Sequence, residues 1–419
     1  MTNLDIKNAY VGSTSVTAMY LGSTKIYPHK VLYRPKVYDF VYSDGSWSTT
    51  RDSAKTCVGI ITDVRSMDFD FMALHNTATN KTSFGGTGTL ITDIVTTTDK
   101  AVARLDFNGK SNTEKIITQL GDSALAAKAC AKYSTEGFPA GSWYLPALGQ
   151  LMASCVSFRD LTDALQTAGG TELENTGEDP VICSTQRNSN LAYQMDASTN
   201  VYISSPDKSS VGWARPFCTV EYNHIDNGIY ICDKDNNYYT DTQWTASGKA
   251  SSDAIGIALV TDETQFLISK VRARRKIFSP TSNANMLYAV GNSDYALKDY
   301  AGRINTKLLL KQSTEHAAAD ATNFSIGNGS TGFVGSLGEW SKIVENVDTI
   351  NSYSALIGLN NFNTTGVTYY WTSTSSTPTT EYAYDMSTKV VASASKTNFY
   401  NNVPLALLPY KGNKEVETT

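Results

Sequence analysis

The sequence predicts an α+β fold: two homologous units behind a short β-rich N-terminal segment. Three observations predict it. The chain of 419 residues repeats itself at an offset of about 190 positions. Each copy mixes helix-period with strand-period apolar patterning. A much smaller tandem repeat lies between Tyr10 and Tyr27. The expected divisions are 1–37 for the N-terminal segment, 38–222 and 223–412 for the two units, and 413–419 for a charged tail.

Five matches in the same order carry the large repeat. Cys57–Asp63 (CVGIITD) corresponds to Ile255–Asp262 (IGIALVTD). Ser111–Cys130 (SNTEKIITQLGDSALAAKAC) corresponds to Ile304–Thr322 (INTKLLLKQSTEHAAADAT), each with Asn-Thr, an apolar-periodic run and an Ala-rich end. Ile116, Ile117, Leu120, Ala124 and Ala127 fit one helical face. Gly141–Cys155 and Gly332–Asn346 each place an aromatic and Leu-Gly before an amphipathic helix. Ile182–Asp196 and Trp371–Ser387 each read as strand, Ser-Thr, polar turn and return strand, and Gly212–Val220 and Asn401–Pro409 as a closing strand. Each unit therefore reads as hairpin, apolar strand, two helices, then two or three strands. Asp44-Gly45 and Asp235-Asn236-Asn237 are turn residues. The stretches 66–90, 163–180 and 274–300 read as long display loops.

The small repeat is Tyr10-Val11-Gly12-Ser13-Thr14 followed by Tyr20-Leu21-Gly22-Ser23-Thr24. Each copy reads as a short strand with Gly at a turn. A strand pair this small is marginal alone in water. Two readings stand: a docking tag completed by other chains, with Tyr10, Gly12, Tyr20, Gly22 and Tyr27 as its contacts, or a hairpin folded onto the first unit.

Composition excludes several classes. Charged residues make up only 18% and net charge is −5, so no broad basic field attracts nucleic acid or anionic lipid. The basic run Lys270–Lys276 is local and reads as a solvated face or a protected edge strand. No stretch approaches 18 apolar residues and no basic-then-apolar leader is visible, so neither a membrane span nor an export signal is expected, and synthesis in a cytoplasm is. Six cysteines, none in C-x-x-C, read as reduced and buried.

Motifs for chemistry are sparse. P-loop, Rossmann, G-x-S-x-G and H-E-x-x-H patterns are absent. His75 lies near Asp68 and Asp70 in sequence without a nucleophile, and His316 has no helical partner at i+4. Asp233–Asp241 alternates oxygen ligands as a calcium loop does, but lacks that loop's Gly and Glu, so a hairpin turn is expected and no metal or cofactor is assigned. No catalytic residue is assigned. Tyr, Trp, Asn and Ser concentrate in the late loops, a composition suited to recognition. Tyr369, Tyr370, Trp371, Asn398, Phe399, Tyr400 and Asn401 are the candidate ligand-binding residues; the alternative is that these aromatics belong to core and edge strands.

Trp143, Leu145, Pro146 and Leu151, then Ser184-Thr185, then Ala214-Arg215-Pro216-Phe217 form an order that resembles the C-type-lectin-like domains of bacterial and phage surface proteins. That group includes formylglycine-generating-like and diversity-generating-retroelement variable proteins. The second unit keeps Trp371-Thr372-Ser373-Thr374 but lacks the Leu-Pro and Arg-Pro pairs. The resemblance implies tandem C-type-lectin-like domains, with 398–402 at the place where retroelement-diversified relatives vary. Calcium signatures of lectins are absent, so calcium-dependent sugar binding is not implied. An oxidase of the formylglycine-generating kind would need paired reactive cysteines, with Cys155, Cys183 and Cys218 as candidates by elimination. The opening repeat is similar to N-termini of fibre and tail proteins of phages of Bacteroides-type hosts, including crAss-like phages. The expectation is a non-enzymatic virion structural protein, a head or tail fibre or decoration component at the virion surface. Its expected partners are other virion proteins, a host-surface glycan or protein, and further copies of itself. A bacterial cell-surface adhesin or retroelement-variable protein, and a polysaccharide-degrading enzyme, stand as alternatives.

Overall fold

The computed structural model describes residues 34–410 apart from 79, 174–179, 197–201, 271–272, 276–289, 311–316, 327–329, 378, 396–397 and 399, together with the backbone of four short strands before residue 34. Helices and strands are mixed throughout, and a closely matching element order occurs twice, the second half adding the helix Asp241–Ser247 and the strands Ser325–Ile326 and Ser330–Val334.

In the first half, an antiparallel sheet has the spatial order Phe217–Glu221, Asp68–Ala73, Cys57–Val64, Phe40–Tyr42, Trp47–Ser48. The second half has the matching order Pro404–Ala406, Gln265–Ser269, Ala254–Val260, Gly228–Asp233, Tyr238–Tyr239, extended past Pro404–Ala406 by Ser330–Val334 and Ser325–Ile326. In the first half the place of Ser330–Val334 is held by Tyr144 alone, whose backbone exchanges two hydrogen bonds with Phe217, at 2.9 and 3.0 Å. Each half adds a smaller sheet: Val181–Gln186, Ala192–Asp196 and Tyr202–Ser204 in one; Tyr369–Ser375, Thr380–Asp385 and Val390–Ser395 in the other, where Tyr400–Asn402 and Ala273–Arg275 join it. Ala273–Arg275, from the basic run, is an edge strand.

The central strand Cys57–Val64 is buried beyond its first residue because both faces of its sheet are covered. Ile60 and Met72 meet Leu148 and Leu151 of the helix Leu148–Ser154 and Leu161 and Leu165 of the helix Phe158–Ala168. Ile61, Phe69 and Phe71 meet Trp143, Tyr222 and Tyr410 on the other face. Edge-to-face ring pairs such as Phe71–Trp143 at 5.1 Å organise that second face.

Two of the expected long loops are shorter than predicted. Residues 68–73 form an inner strand; its pattern is masked by Asp70, a fully buried carboxylate in which each oxygen accepts a bond from Arg65 at 2.8 Å. The helix Phe158–Ala168 runs into 163–180 and ends at Gly169, which takes the left-handed conformation (φ 75°) that glycine adopts without steric cost. Of 274–300, residues 276–289 lie outside the described set, and Ser293–Ala296 is a helical turn.

One buried polar node is built twice with nearly the same bonds. Asp106 precedes the helix Gly109–Leu120, and Asp299 precedes the helix Gly302–Leu310. Asp106 accepts from Asn108 N (3.0 Å), Asn112 Nδ2 (2.8 Å) and Thr185 Oγ1 (2.7 Å). Asp299 accepts from Ala301 N (2.9 Å), Asn305 Nδ2 (2.9 Å) and Thr374 Oγ1 (2.8 Å). Thr185 Oγ1 in turn accepts from Leu148 N (3.0 Å), as Thr374 Oγ1 does from Leu337 N (2.9 Å). Thr113 and Thr306 each donate back to a glycine carbonyl one turn earlier, both at 2.7 Å, and accept from Leu145 N and Val334 N, both at 2.9 Å. Gly109 and Gly302 are required by close approach: a Cβ would stand 2.3 Å from Gln150 Oε1 in one half and 2.2 Å from Glu339 Oε2 in the other. The node ties helix start, second helix and small sheet together, and satisfies donors that would otherwise be buried without partners.

The halves are bolted to each other. Arg303 of the second half reaches both oxygens of Asp63 in the first, at 2.9 and 3.2 Å, and Arg65 adds a third bond at 3.1 Å. Burial raises the Asp63 carboxyl, but the two guanidinium groups outweigh it and hold its pKa well below the usual range. Ser66 Oγ donates to Gln265 O (2.6 Å) and accepts from Leu408 N (3.1 Å). Tyr410 closes over Tyr222 at 5.3 Å.

Candidate functional site

The late aromatic and Asn residues converge only in part. Tyr369 and Tyr400 start two parallel strands, and their rings stack at 4.9 Å. Asn401 Nδ2 donates to Tyr369 O at 3.2 Å, and Asn398, which is exposed, reaches the Tyr400 hydroxyl at 3.4 Å. These four form a half-exposed surface patch. Tyr370 does not belong to it, which corrects the expectation, and Trp371 lies buried under it, its ring 4.7 Å from that of Tyr400. Tyr370 packs on Trp340 (5.2 Å) and Phe362 (5.3 Å). Trp371 is fully buried with Leu309, Ala383 and Ala394. Adjacent strand residues point to opposite faces, and here both faces are covered. Phe399 lies outside the described residues.

The residues that carry the family resemblance are anchors. Trp143 is buried and donates to Phe138 O at 3.0 Å. Arg215, with no exposed surface, donates to Ala73 O, Leu74 O, Thr171 O and Asn76 Oδ1 at 2.7–3.0 Å. It gathers three chain segments, and burial brings its pKa down to about 10.

The chemistry-bearing candidates are dispersed. His75 bonds Thr171 Oγ1 at 2.9 Å, and the carboxylates near it in sequence are held elsewhere: Asp68 and Asp70 both pair with Arg65. His29 and His316 lie outside the described residues. Cys155, Cys183 and Cys218 are buried, and burial pushes Cys183 and Cys218 up to about 12, the opposite of what a thiolate nucleophile needs. Asp233 accepts from Asp235 N (2.9 Å), Asn237 N (2.8 Å) and the Tyr239 hydroxyl (3.1 Å), so this stretch is a hairpin turn. Among the described residues no group of three His, Cys, Asp or Glu side chains is placed to hold a metal ion, and no helix is long and apolar enough to cross a membrane.

Of the docking residues, Tyr10, Tyr20 and Tyr27 fall in strands, while Gly12 and Gly22 lie outside the described residues. Tyr10–Val11 pairs with Thr14–Ser15, and Met19–Leu21 with Thr24–Tyr27, each as a two-stranded sheet of its own.

The two halves differ at one place that sequence reasoning missed. Around Asp70 the first half is polar: Tyr144 (3.2 Å), Thr219 (2.8 Å) and Gln150 (2.9 Å) all donate to its carboxylate. By strand register and node position, the second half has Phe266, Phe333, Leu407 and Glu339 there. The signal available in the sequence was Asp70 itself, aligned with an apolar residue of the other copy.

Neither a family model nor a curated protein matches the chain. Among solved structures, a fimbrial protein from Bacteroides ovatus ATCC 8483 is similar over 44% of this chain and 48% of that one, with 16% identity and a TM-score of 0.32.

Proposed function

We propose that this chain is a virion structural protein of a phage, a head- or tail-fibre or decoration component, with two C-type-lectin-like domains displayed as an adhesive surface. The N-terminal segment docks it to capsid or tail proteins, further copies assemble beside it, and the Tyr369–Tyr400 patch with Asn398 and Asn401 contacts a host-surface glycan or protein. The observation that carries this reading is the pair of N-terminal hairpins. Each is a separate two-stranded sheet, too small to be stable without a surface to complete it. The Tyr and Asn patch supports adhesion, since rigid aromatic area with adaptable amides suits recognition.

Deleting residues 1–33 is expected to leave circular dichroism and melting temperature unchanged while abolishing incorporation into particles. Immunogold labelling with antibody to residues 223–410 reads the second point. Truncated protein that still assembles refutes the docking role. Absence of label from every particle refutes the virion reading and favours a bacterial surface adhesin.

A further inference from the structure

A cleft of ≈ 730 Å³ lies between the halves. A second pocket of ≈ 350 Å³ opens beside it and shares Arg65, Phe107 and Asn108 with it. Together they make an elongated site at a junction between two units, a usual place for ligands.

The floor is charged, with three carboxylates set against two guanidinium groups. Asp63 lies between Arg65 and Arg303, and Asp68 and Asp70 both pair with Arg65. Neither guanidinium is a spare positive charge for an anion. Nor does the floor suit an apolar ligand, which would strip water from these groups without replacing its hydrogen bonds. A hydroxyl group fits, because it donates and accepts at once. Set against a carboxylate fixed beside a guanidinium, it can give its proton to one and accept from the other. Asp63 has three of its roughly four acceptor sites filled by the two arginines; Arg65 already directs four N–H bonds to Asp63, Asp68 and Asp70, whereas Arg303 directs two to Asp63 and has others of its five N–H groups to offer.

The walls are aromatic. Phe107 follows Asp106 of the first node and Tyr300 follows Asp299 of the second, so the duplication sets one ring in each half against the same cleft. Tyr295 adds a third ring, 45% exposed, with Lys298 Nζ 5.8 Å from its centroid. Aromatic rings beside fixed polar pairs suit a ligand with apolar C–H faces and a hydroxyl rim.

We propose that this cleft binds a neutral oligosaccharide, more than one sugar ring long, with its hydroxyls on the Asp63–Arg65–Arg303 floor and its ring faces on Phe107, Tyr295 and Tyr300. The site is separate from the Tyr369–Tyr400 patch and stands whether or not the chain belongs to a virion.

The test is an array of immobilised neutral and acidic glycans probed with the full chain, followed by calorimetric titration with the best-bound neutral glycan. Tyr295→Ala is expected to weaken binding about tenfold or more, with an unchanged melting temperature because the ring is exposed. Tyr400→Ala is expected to bind as the unaltered chain does. Retention of acidic glycans only, or of none, overturns the proposal. So does binding that survives Tyr295→Ala; if that binding is lost in Tyr400→Ala, sugar recognition belongs to the surface patch instead.

Discussion

Replacing Asp299 by alanine is expected to destabilise the second half by roughly 3–5 kcal/mol. The substitution leaves Asn305 Nδ2, Thr374 Oγ1 and the Ala301 N–H without their acceptor, in a place where Asp299, Asn305 and Thr374 have essentially no exposed surface. The cost comes from stranded donors more than from the lost carboxylate, so Asp299→Asn, which keeps one acceptor oxygen, should cost less. Asp106→Ala should reproduce the loss in the first half, because the same three kinds of donor converge there. Urea unfolding of the three variants reads the effect. A midpoint for Asp299→Ala no lower than that of the exposed control Asp348→Ala would show that the node contributes nothing.

Glu339→Gln is expected to flatten the dependence of stability on pH. Burial, aided by the nearby Asp299 carboxylate, pushes the Glu339 carboxyl up to about 8, against the opposing bonds from Ser336 and the charge of Arg303. The folded chain thus holds a proton that the unfolded chain releases near the usual 4.5. Where the folded state binds more protons, stability falls as pH rises. The contribution is complete below about 4.5, declines from there, and is gone above about 8. A shift of that size corresponds to as much as ~5 kcal/mol. Glutamine is neutral at every pH and already fills the equivalent place as Gln150, where Oε1 accepts from Ala147 N at 3.0 Å just as Glu339 Oε2 accepts from Ser336 N at 2.7 Å. Thermal unfolding at pH 6 and pH 9 should show the unaltered chain losing stability and Glu339→Gln holding it. Equal losses in both would mean that Glu339 is ionised throughout.

The repeated element order was legible because repeated spacing survives even where residue identity drifts. Asn112-Thr113 and Asn305-Thr306 stood out as helix openings, and their side chains turn out to be node members. Their burial had a trace in the sequence, since Asn and Thr inside an amphipathic helix run against propensity. Strand 68–73 was illegible because Asp70 breaks its apolar pattern and Arg65, which neutralises it, belongs to a turn. Tyr370 and Trp371 were misplaced for a related reason. Aromatic composition does not reveal which face of a strand is covered, and here the helix Leu337–Glu345 covers one face and the helices Gly302–Leu310 and Ala317–Asn323 the other. The cleft was beyond sequence reasoning altogether, as Asp63 and Arg303 stand 240 positions apart.

Pro404–Ala406 lies between Gln265–Ser269 and Ser330–Val334 in the second sheet, and Leu408 and Tyr410 reach into the first half. On a ribosome, the first half can pair its own strands long before those residues emerge, yet its aromatic face around Tyr222 stays uncapped until they do. The second sheet waits for the same short stretch. Non-local closure of this kind carries a high contact order and slow kinetics. The nascent chain therefore passes through a prolonged stage with an open sheet edge and a bare aromatic surface, the stage at which chaperone capture or cross-pairing with a neighbouring nascent copy would compete with completion.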